Sequence, residues 1–226
     1  ARNKRAMGHL INTAIGENKI SFEDYVCDDG RGYGPYKLKC TMWREGEKVI
    51  LDFEGTDPQA AGSINFYLNE NMLKMFFGIY MIMVFDPQVM FNDGFYDLVD
   101  VRIPEGSLLK PKFPAALSCR THALGRIFDL LGALLGKGQP EFLSAAGFSS
   151  SPHLMFSGND KDTGEWFQLF QIGFGGIPGR PFGDGPDGHS LWPGFTNVPN
   201  EFLERYFPMR ITNYTSIADS GGAGFF

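Results

Sequence analysis

Residues 36–53, Tyr36-Lys37-Leu38-Lys39-Cys40-Thr41-Met42-Trp43-Arg44-Glu45-Gly46-Glu47-Lys48-Val49-Ile50-Leu51-Asp52-Phe53, decide the fold class. Apolar and polar side chains alternate from Tyr36 to Trp43, the period of a half-buried strand. An extended run resumes from Val49 to Phe53 after the charged, glycine-centred turn. The spacing predicts an antiparallel hairpin. Helical periods flank it on both sides: Ala6, Leu10, Ile11 and Ala14 before it, Asn69 to Phe85 after it. Apolar residues run nearly all round the second of these helices, which predicts burial, with Met72, Met75, Met81 and Met83 as core filler. The first helix, closed by Gly16, is expected to pack on something outside the chain.

Further along, Asp97 to Ile103 reads as a strand. Two prolines in Pro111-Lys112-Phe113-Pro114 exclude regular structure, so a subdomain boundary is expected near residue 115, giving 1–115 and 116–226. Thr121 to Leu135 places Leu124, Ile127, Phe128, Leu131 and Leu135 on one helical face, with Gly136, Gly138 and Pro140 as stop signals. Leu154 to Phe156 and Trp166 to Phe174 predict a second antiparallel pair across the turn Asn159 to Gly164. Asn200 to Phe207 reads as a short amphipathic helix and Met209 to Ile217 as a last strand. The class that results is α+β: mixed, largely antiparallel sheets, a few buried helices and one long Gly/Pro-rich loop.

Composition narrows the function. Over 226 residues, 20 Lys+Arg against 26 Asp+Glu leave a net charge of −6, the reverse of the basic footprint that nucleic acid selects. With 29 glycines and 14 prolines, yet 43% hydrophobic residues, the chain reads as folded and loop-rich. The longest uncharged apolar stretch, Met75 to Phe85, is about half of the roughly 20 residues a membrane span needs. Ala1 to Gly16 lacks the apolar region of a signal peptide. Cys27, Cys40 and Cys119, odd in number and widely spaced, fit free thiols in a reducing cytoplasm. The absent initiator Met and the Gly-rich end at 221–226 are expected of a piece cut from a longer polypeptide.

Chemistry concentrates between Gly173 and Gly194, where eight glycines and four prolines interleave with Arg180, Asp184, Asp187 and His189. A structureless segment of that length inside a compact domain is usually functional or disordered, and this one is too apolar for a linker. Arg180 offers a fork for a carboxylate, carbonate or phosphate group. His189 suits proton transfer, with Asp184 or Asp187 fixing its tautomer. The plainer alternative is that Arg180 pairs with Asp184 or Asp187 to hold the loop shut. His122 lies in the first turn of the 121–135 helix beside Cys119 and Arg120, where the helix dipole disfavours imidazolium. Against a role in anion binding there stands simple capping by Ser118 or Thr121, with Cys119 buried. Glu23-Asp24 with Asp28-Asp29 reads as an acidic surface loop. Gly173 to Gly179 fails the dinucleotide pattern because Pro178 stands at its third glycine, and no G-x-x-x-x-G-K-[ST] run exists. The four histidines are too scattered for a metal motif, so no metal ligand is assigned.

Several strings taken together resemble the large subunit of the hydantoinase B/oxoprolinase family. They are Phe22-Glu23-Asp24-Tyr25 with Asp28-Asp29-Gly30; Phe53-x-Gly55-Thr56-x-Pro58-Gln59 with Gly62-x-Ile64-Asn65; Asp86-Pro87 with Asn92-x-Gly94; and Ile103-Pro104-Glu105-Gly106-Ser107-Leu108-Leu109. Arg126-Ile127-x-Asp129, Gly175-Gly176-x-x-Gly179-Arg180-Pro181, Asp184-Gly185-x-Asp187-Gly188-x-Ser190 and Asn197-x-Pro199-x-Glu201 continue the series in order. The resemblance implies a middle fragment of a longer subunit. It also implies a hydantoinase A-like partner that binds ATP and Mg, a small accessory subunit, and a divalent metal such as Mn or Zn whose ligands lie outside this segment.

Two departures separate the family's branches. Ring-opening members resemble H-T-H-M-T-N-T after the Asp-Gly pair, whereas this chain reads His189-Ser190-Leu191-Trp192-Pro193-Gly194-Phe195. The acidic residue frequent four positions before Arg126 is His122 here. The resulting expectation is an acetone carboxylase-type ketone carboxylase joining a small ketone to bicarbonate as a 3-oxo acid, with His189, His122 and Asp187 catalytic and Arg180, Trp192 and Asn197 binding substrate. The alternatives are an ATP-dependent hydantoinase or 5-oxoprolinase that opens a cyclic amide, and a scaffold segment with catalysis elsewhere.

Overall fold

In the computed structural model, residues 2–86, 88–142, 144–147, 151–180, 182–186 and 196–220 are described. A four-stranded sheet in the order β1 (Ile20–Val26), β2 (Tyr36–Glu45), β3 (Lys48–Asp52), β4 (Val99–Arg102) carries most of the core. The expected hairpin is its centre. Glu45 pairs with Lys48, so the turn shrinks to Gly46-Glu47, and Gly46 takes φ +60°, a conformation other residues rarely adopt. Leu38, Cys40 and Met42 alternate inward along β2, and all of Val49, Ile50 and Leu51 are buried on β3.

After β3 the chain passes through α2 (Glu70–Phe85) and a 3₁₀ turn (Asp93–Leu98) to return as β4, parallel to β3 with Ile50 opposite Asp100. This crossover makes the sheet mixed, because only a long connection lets neighbouring strands run the same way. α3 (Thr121–Gly138) packs on β1 and β2, and α2 on β4. One hydrophobic cluster joins Met7 and Ile11, Leu73, Phe77 and Met81, and Ile127, Leu131 and Leu134 to the inner face of the sheet. A separate two-stranded sheet, β5 (His153–Asn159) with β6 (Trp166–Ile172), is followed by α4 (Asn200–Tyr206). The fold is α+β, as the sequence predicts. The described part of the Gly/Pro-rich stretch, 173–180 and 182–186, forms neither helix nor strand.

Several expectations are corrected. α1 (Arg2–Ala14) does not wait for an outside partner: Met7, Ile11 and Ala14 are buried in the chain's own core. α2 is buried on one side only, with Ile79 36% exposed. Residues 209–217 form no strand, because Ile211 donates its N–H to the Glu204 carboxylate at 2.8 Å and no ladder partner lies beside them among the described residues. Neither Ser118 nor Thr121 caps α3; Arg120 occupies the N-cap position with no side-chain bond, and Cys119 is half-buried.

The acidic surface loop is the largest correction. Glu23 and Asp24 lie in β1, and Asp29 is only 1% exposed. Its carboxylate accepts N–H groups from Arg31, Tyr33 and Gly62, at 2.9, 3.2 and 2.9 Å, and the Tyr36 hydroxyl at 3.3 Å. Burial pulls its pKa up, but these donors together outweigh that, and the net shift is downward. Asn65 does the same service for the next loop. Its amide oxygen accepts from Ala60 N–H, and its NH₂ faces the carbonyls of Ala60, Gly62 and Ala116.

Candidate functional site

Four polar side chains meet at the start of α3. Cys119 N–H donates to the Ser63 carbonyl at 2.8 Å, which seats the helix start on the loop that Asn65 organises. Thr121 Oγ1 then accepts the hydroxyl of buried Ser151 at 2.7 Å, and Ser151 Oγ stands 3.5 Å from His153 Nε2. The edge of the His153 ring packs on Phe170, 5.2 Å between centroids. Half-buried His122 completes the group. Its pKa is lowered first by burial and then by the charge that His153 carries when protonated. At neutral pH His122 is therefore a neutral imidazole, able to accept a proton.

The sequence singles out His122 but neither Ser151 nor His153. Nothing in their spacing links them to residue 122; the contact depends on how β5 returns to α3, which only the tertiary structure supplies. Arg126, one turn further along α3, is forked between two carboxylates: Nη1 reaches Asp24 Oδ2 at 2.9 Å and Nη2 reaches Asp129 Oδ2 at 2.6 Å. Asp129 Oδ1 accepts Gly147 N–H, and Arg126 Nη2 also donates to the Gly147 carbonyl. The helix, strand β1 and the 144–147 segment are locked together at this point.

The 144–147 segment in turn holds the glycine-rich loop, since Ala145 N–H donates to the Gly179 carbonyl at 2.9 Å. Arg180 follows directly. Its backbone exchanges two hydrogen bonds with Gly183, at 2.8 and 3.2 Å, so a backbone turn closes the loop here, and no ion pair joins Arg180 to Asp184. The guanidinium is exposed. The loop doubles back so tightly that a Cβ on Gly185 would collide with the Ile177 carbonyl oxygen. Asn197, also exposed, donates its side-chain N–H to the Tyr214 hydroxyl at 2.7 Å. Asp187, His189, Leu191, Trp192 and Phe195 lie outside the described residues.

Of the six residues picked from sequence, three are thus placed on separate elements: His122 on α3, Arg180 in the loop after β6, and Asn197 just before α4. Among the described residues no group of three or more His, Cys, Asp or Glu side chains could hold a metal ion. Burial drives the Cys40 thiol pKa far up, which makes it inert, and Cys27 is exposed. No helix is long and apolar enough among the described residues to cross a membrane.

Comparison with known proteins places this architecture. The chain is 26% identical over 207 residues to a 5-oxoprolinase of Pestalotiopsis fici, with 89% of this chain and 15% of that protein covered. It is 25% identical over 210 residues to the beta subunit of caprolactamase from Pseudomonas jessenii, covering 88% of this chain and 35% of that one. Among solved structures, the ATP-dependent caprolactamase from Pseudomonas jessenii superposes with a TM-score of 0.78 at 21% identity, over 99% of this chain and 39% of that one. Nucleotide-free acetone carboxylase superposes with a TM-score of 0.67 at 17% identity, over 90% and 29% respectively. The chain therefore spans about a third or less of the curated relatives it matches. The Hydantoinase B/oxoprolinase sequence profile matches residues 1–226, end to end, and on that match the chain belongs to the hydantoinase B/oxoprolinase family.

Proposed function

We propose that this chain is the central part of the large subunit of an ATP-dependent enzyme that opens a cyclic amide. The observation that carries this choice is the naming of the relatives: 5-oxoprolinase, the beta subunit of caprolactamase and one subunit of a putative D-/L-hydantoinase all carry names of enzymes that act on cyclic amides. The nucleotide is proposed to sit on another chain or region, the resemblance favouring a hydantoinase A-like partner, in keeping with the lack of a G-x-x-x-x-G-K-[ST] run in residues 1–226. In the ring-opening step the amide C–N bond breaks and a C–O bond to water forms. One proton leaves the water and one reaches the departing amine nitrogen. His122, held neutral, and His189, whose tautomer Asp184 or Asp187 would fix, are the proposed proton carriers. Arg180 is the proposed anchor for a carboxylate or phosphate group, with Trp192 and Asn197 along the substrate.

A second reading keeps the ketone carboxylase, with bicarbonate as co-substrate, and rests on a specific departure. Leu191 and Trp192 stand where ring-opening members carry a polar run, and an apolar wall suits a ketone better than an amide. The discriminating experiment uses the native complex with MgATP. ADP release and labelled bicarbonate incorporation are measured with 5-oxoproline, caprolactam, a hydantoin, acetone and acetophenone offered separately. ADP release driven by a cyclic amide without label fixation is the expected result. Label fixed into acid-stable product only with a ketone would replace it with the carboxylase. Unchanged turnover after Arg180→Ala and His189→Ala, in a complex that still assembles, would leave the segment as scaffold.

A further inference from the structure

The β5–β6 hairpin is built like the interior of a sheet, yet little covers it. Register places His153, Met155, Ser157 and Asn159 on one face with Ile172, Phe170, Gln168 and Trp166. On that face Met155 is 66% exposed, Trp166 65%, Phe170 48% and Ile172 39%. The opposite face also carries exposed apolar groups, Leu154 and Phe156, although Leu169 there is buried and Phe167 meets Phe207 beyond α4. Neither strand contains a single Asp, Glu, Lys or Arg; the charges of this region sit in the 160–165 turn. Among the described residues no backbone hydrogen bond ties either strand to a third one, so no described strand pairs with either outer edge.

A free two-stranded ribbon is at best marginally stable in water. Exposed edges are ordinarily blunted by Lys, Pro or a bulge, none of which either strand has. Apolar residues on both faces instead mark strands that are flanked and covered. We propose that the hairpin is the seed of a larger sheet, completed by segments of the same subunit lying outside residues 1–226, which pair with an edge of β5 or β6 and cover the Met155–Phe170–Trp166 face. The length is available: the caprolactamase chain that superposes on 99% of this one is matched over only 39% of its own extent. A contact with another subunit is the competing arrangement, and the experiment below separates the two. The inference does not depend on which carbonyl compound the enzyme uses.

Hydrogen exchange on the unmodified full-length subunit tests it, run once on the isolated monomer and once on the native complex. Cover by the subunit's own polypeptide predicts amides of 153–159 and 166–172 that exchange at least about a hundredfold slower than free chain in both samples. The amides pointing away from the β5–β6 pairing are included in that expectation. Rapid exchange of those outward amides in both samples overturns the proposal, and so does protection that appears only in the complex. Independently, Met155→p-benzoylphenylalanine is photolysed in a complex assembled from light and heavy isotope forms of the subunit. Adducts to light peptides from outside residues 1–226 of the same polypeptide are expected. Adducts to the partner subunit, to a heavy copy, or only within 1–226 overturn it.

Discussion

Asp29 departs from what its immediate sequence suggests, whereas His122 keeps the direction expected of it, through burial and His153. Asp29 sits in a run that reads as solvated acid, yet it accepts three backbone N–H groups and a tyrosine hydroxyl. Its depressed pKa has a definite sign. The carboxylate stabilises the fold fully above the unfolded value of about 3.9, and that contribution is lost as pH falls through the lower folded value. Thermal melts of the full subunit are expected to show Asp29→Ala with a lowered Tm at pH 7 and a flatter loss of Tm below about pH 4 than wild type. A wild-type slope in the variant would show that Asp29 is not the group responsible. His122 moves in the opposite chemical sense. Its folded pKa lies below its ordinary value, so the native state binds fewer protons than the unfolded chain, and its contribution weakens stability as pH drops through about 6.5. In a ¹³C-histidine titration His122 is expected below 6.5, and His153→Gln should raise it only part of the way, since burial, the larger cause, remains. No response to His153→Gln would remove the coupling between the two rings.

Elements show where local preference yields to packing. Gly78 lies within α2, where alanine would normally gain about 1 kcal/mol, but a Cβ there would run into the Phe95 ring. Gly78→Ala is therefore expected to destabilise by about 1–3 kcal/mol in urea melts, and pairing it with Phe95→Leu should restore part of the loss. The N-terminus of α2 behaves conventionally: Asn69 Oδ1 accepts Met72 N–H at 2.8 Å, and Asn69→Ala should cost about 1 kcal/mol. The alternation from Tyr36 to Trp43 and the apolar run from Val49 to Leu51 fixed the central hairpin because both strands bury apolar side chains in the chain's own core. By the same logic β1 could have been read from Ile20, Phe22 and Asp24, but its burial is shallow until Val26, and the acidic pair Glu23-Asp24 masks the period. Residues 209–217 err the other way, alternating without a neighbour to pair with.

At the scale of the molecule, Arg126 is the joint between the sheet and the candidate site. It links β1 through Asp24, α3 through Asp129, and the 144–147 segment that holds the glycine-rich loop at Gly179. Arg126→Met leaves two half-buried carboxylates without their counter-charge and should cost about 1–3 kcal/mol, less than a fully buried pair because the guanidinium keeps some solvent. The same variant should speed hydrogen exchange in 173–180 more than in β2. Equal acceleration in both would mean a global loss of stability and no joint. Many of the residues that carry the family resemblance turn out to be such fastenings: Asp29, Asn65, Arg126 and Asp129 all hold one loop or element to another. Periodicity in the chain was enough for the existence and type of the central hairpin, α1, α2, α3 and the β5–β6 pair, since the spacing of apolar residues is written in consecutive positions, but not for what α1 and α2 pack against. Collinear short strings were enough for the family. Which residues meet was settled by tertiary structure alone. The β3–α2–β4 crossover, the burial of Asp29 under Gly62, and the approach of His153 to His122 all join residues far apart in the chain, and no local period encodes a contact whose free energy is released only when the distant partner arrives.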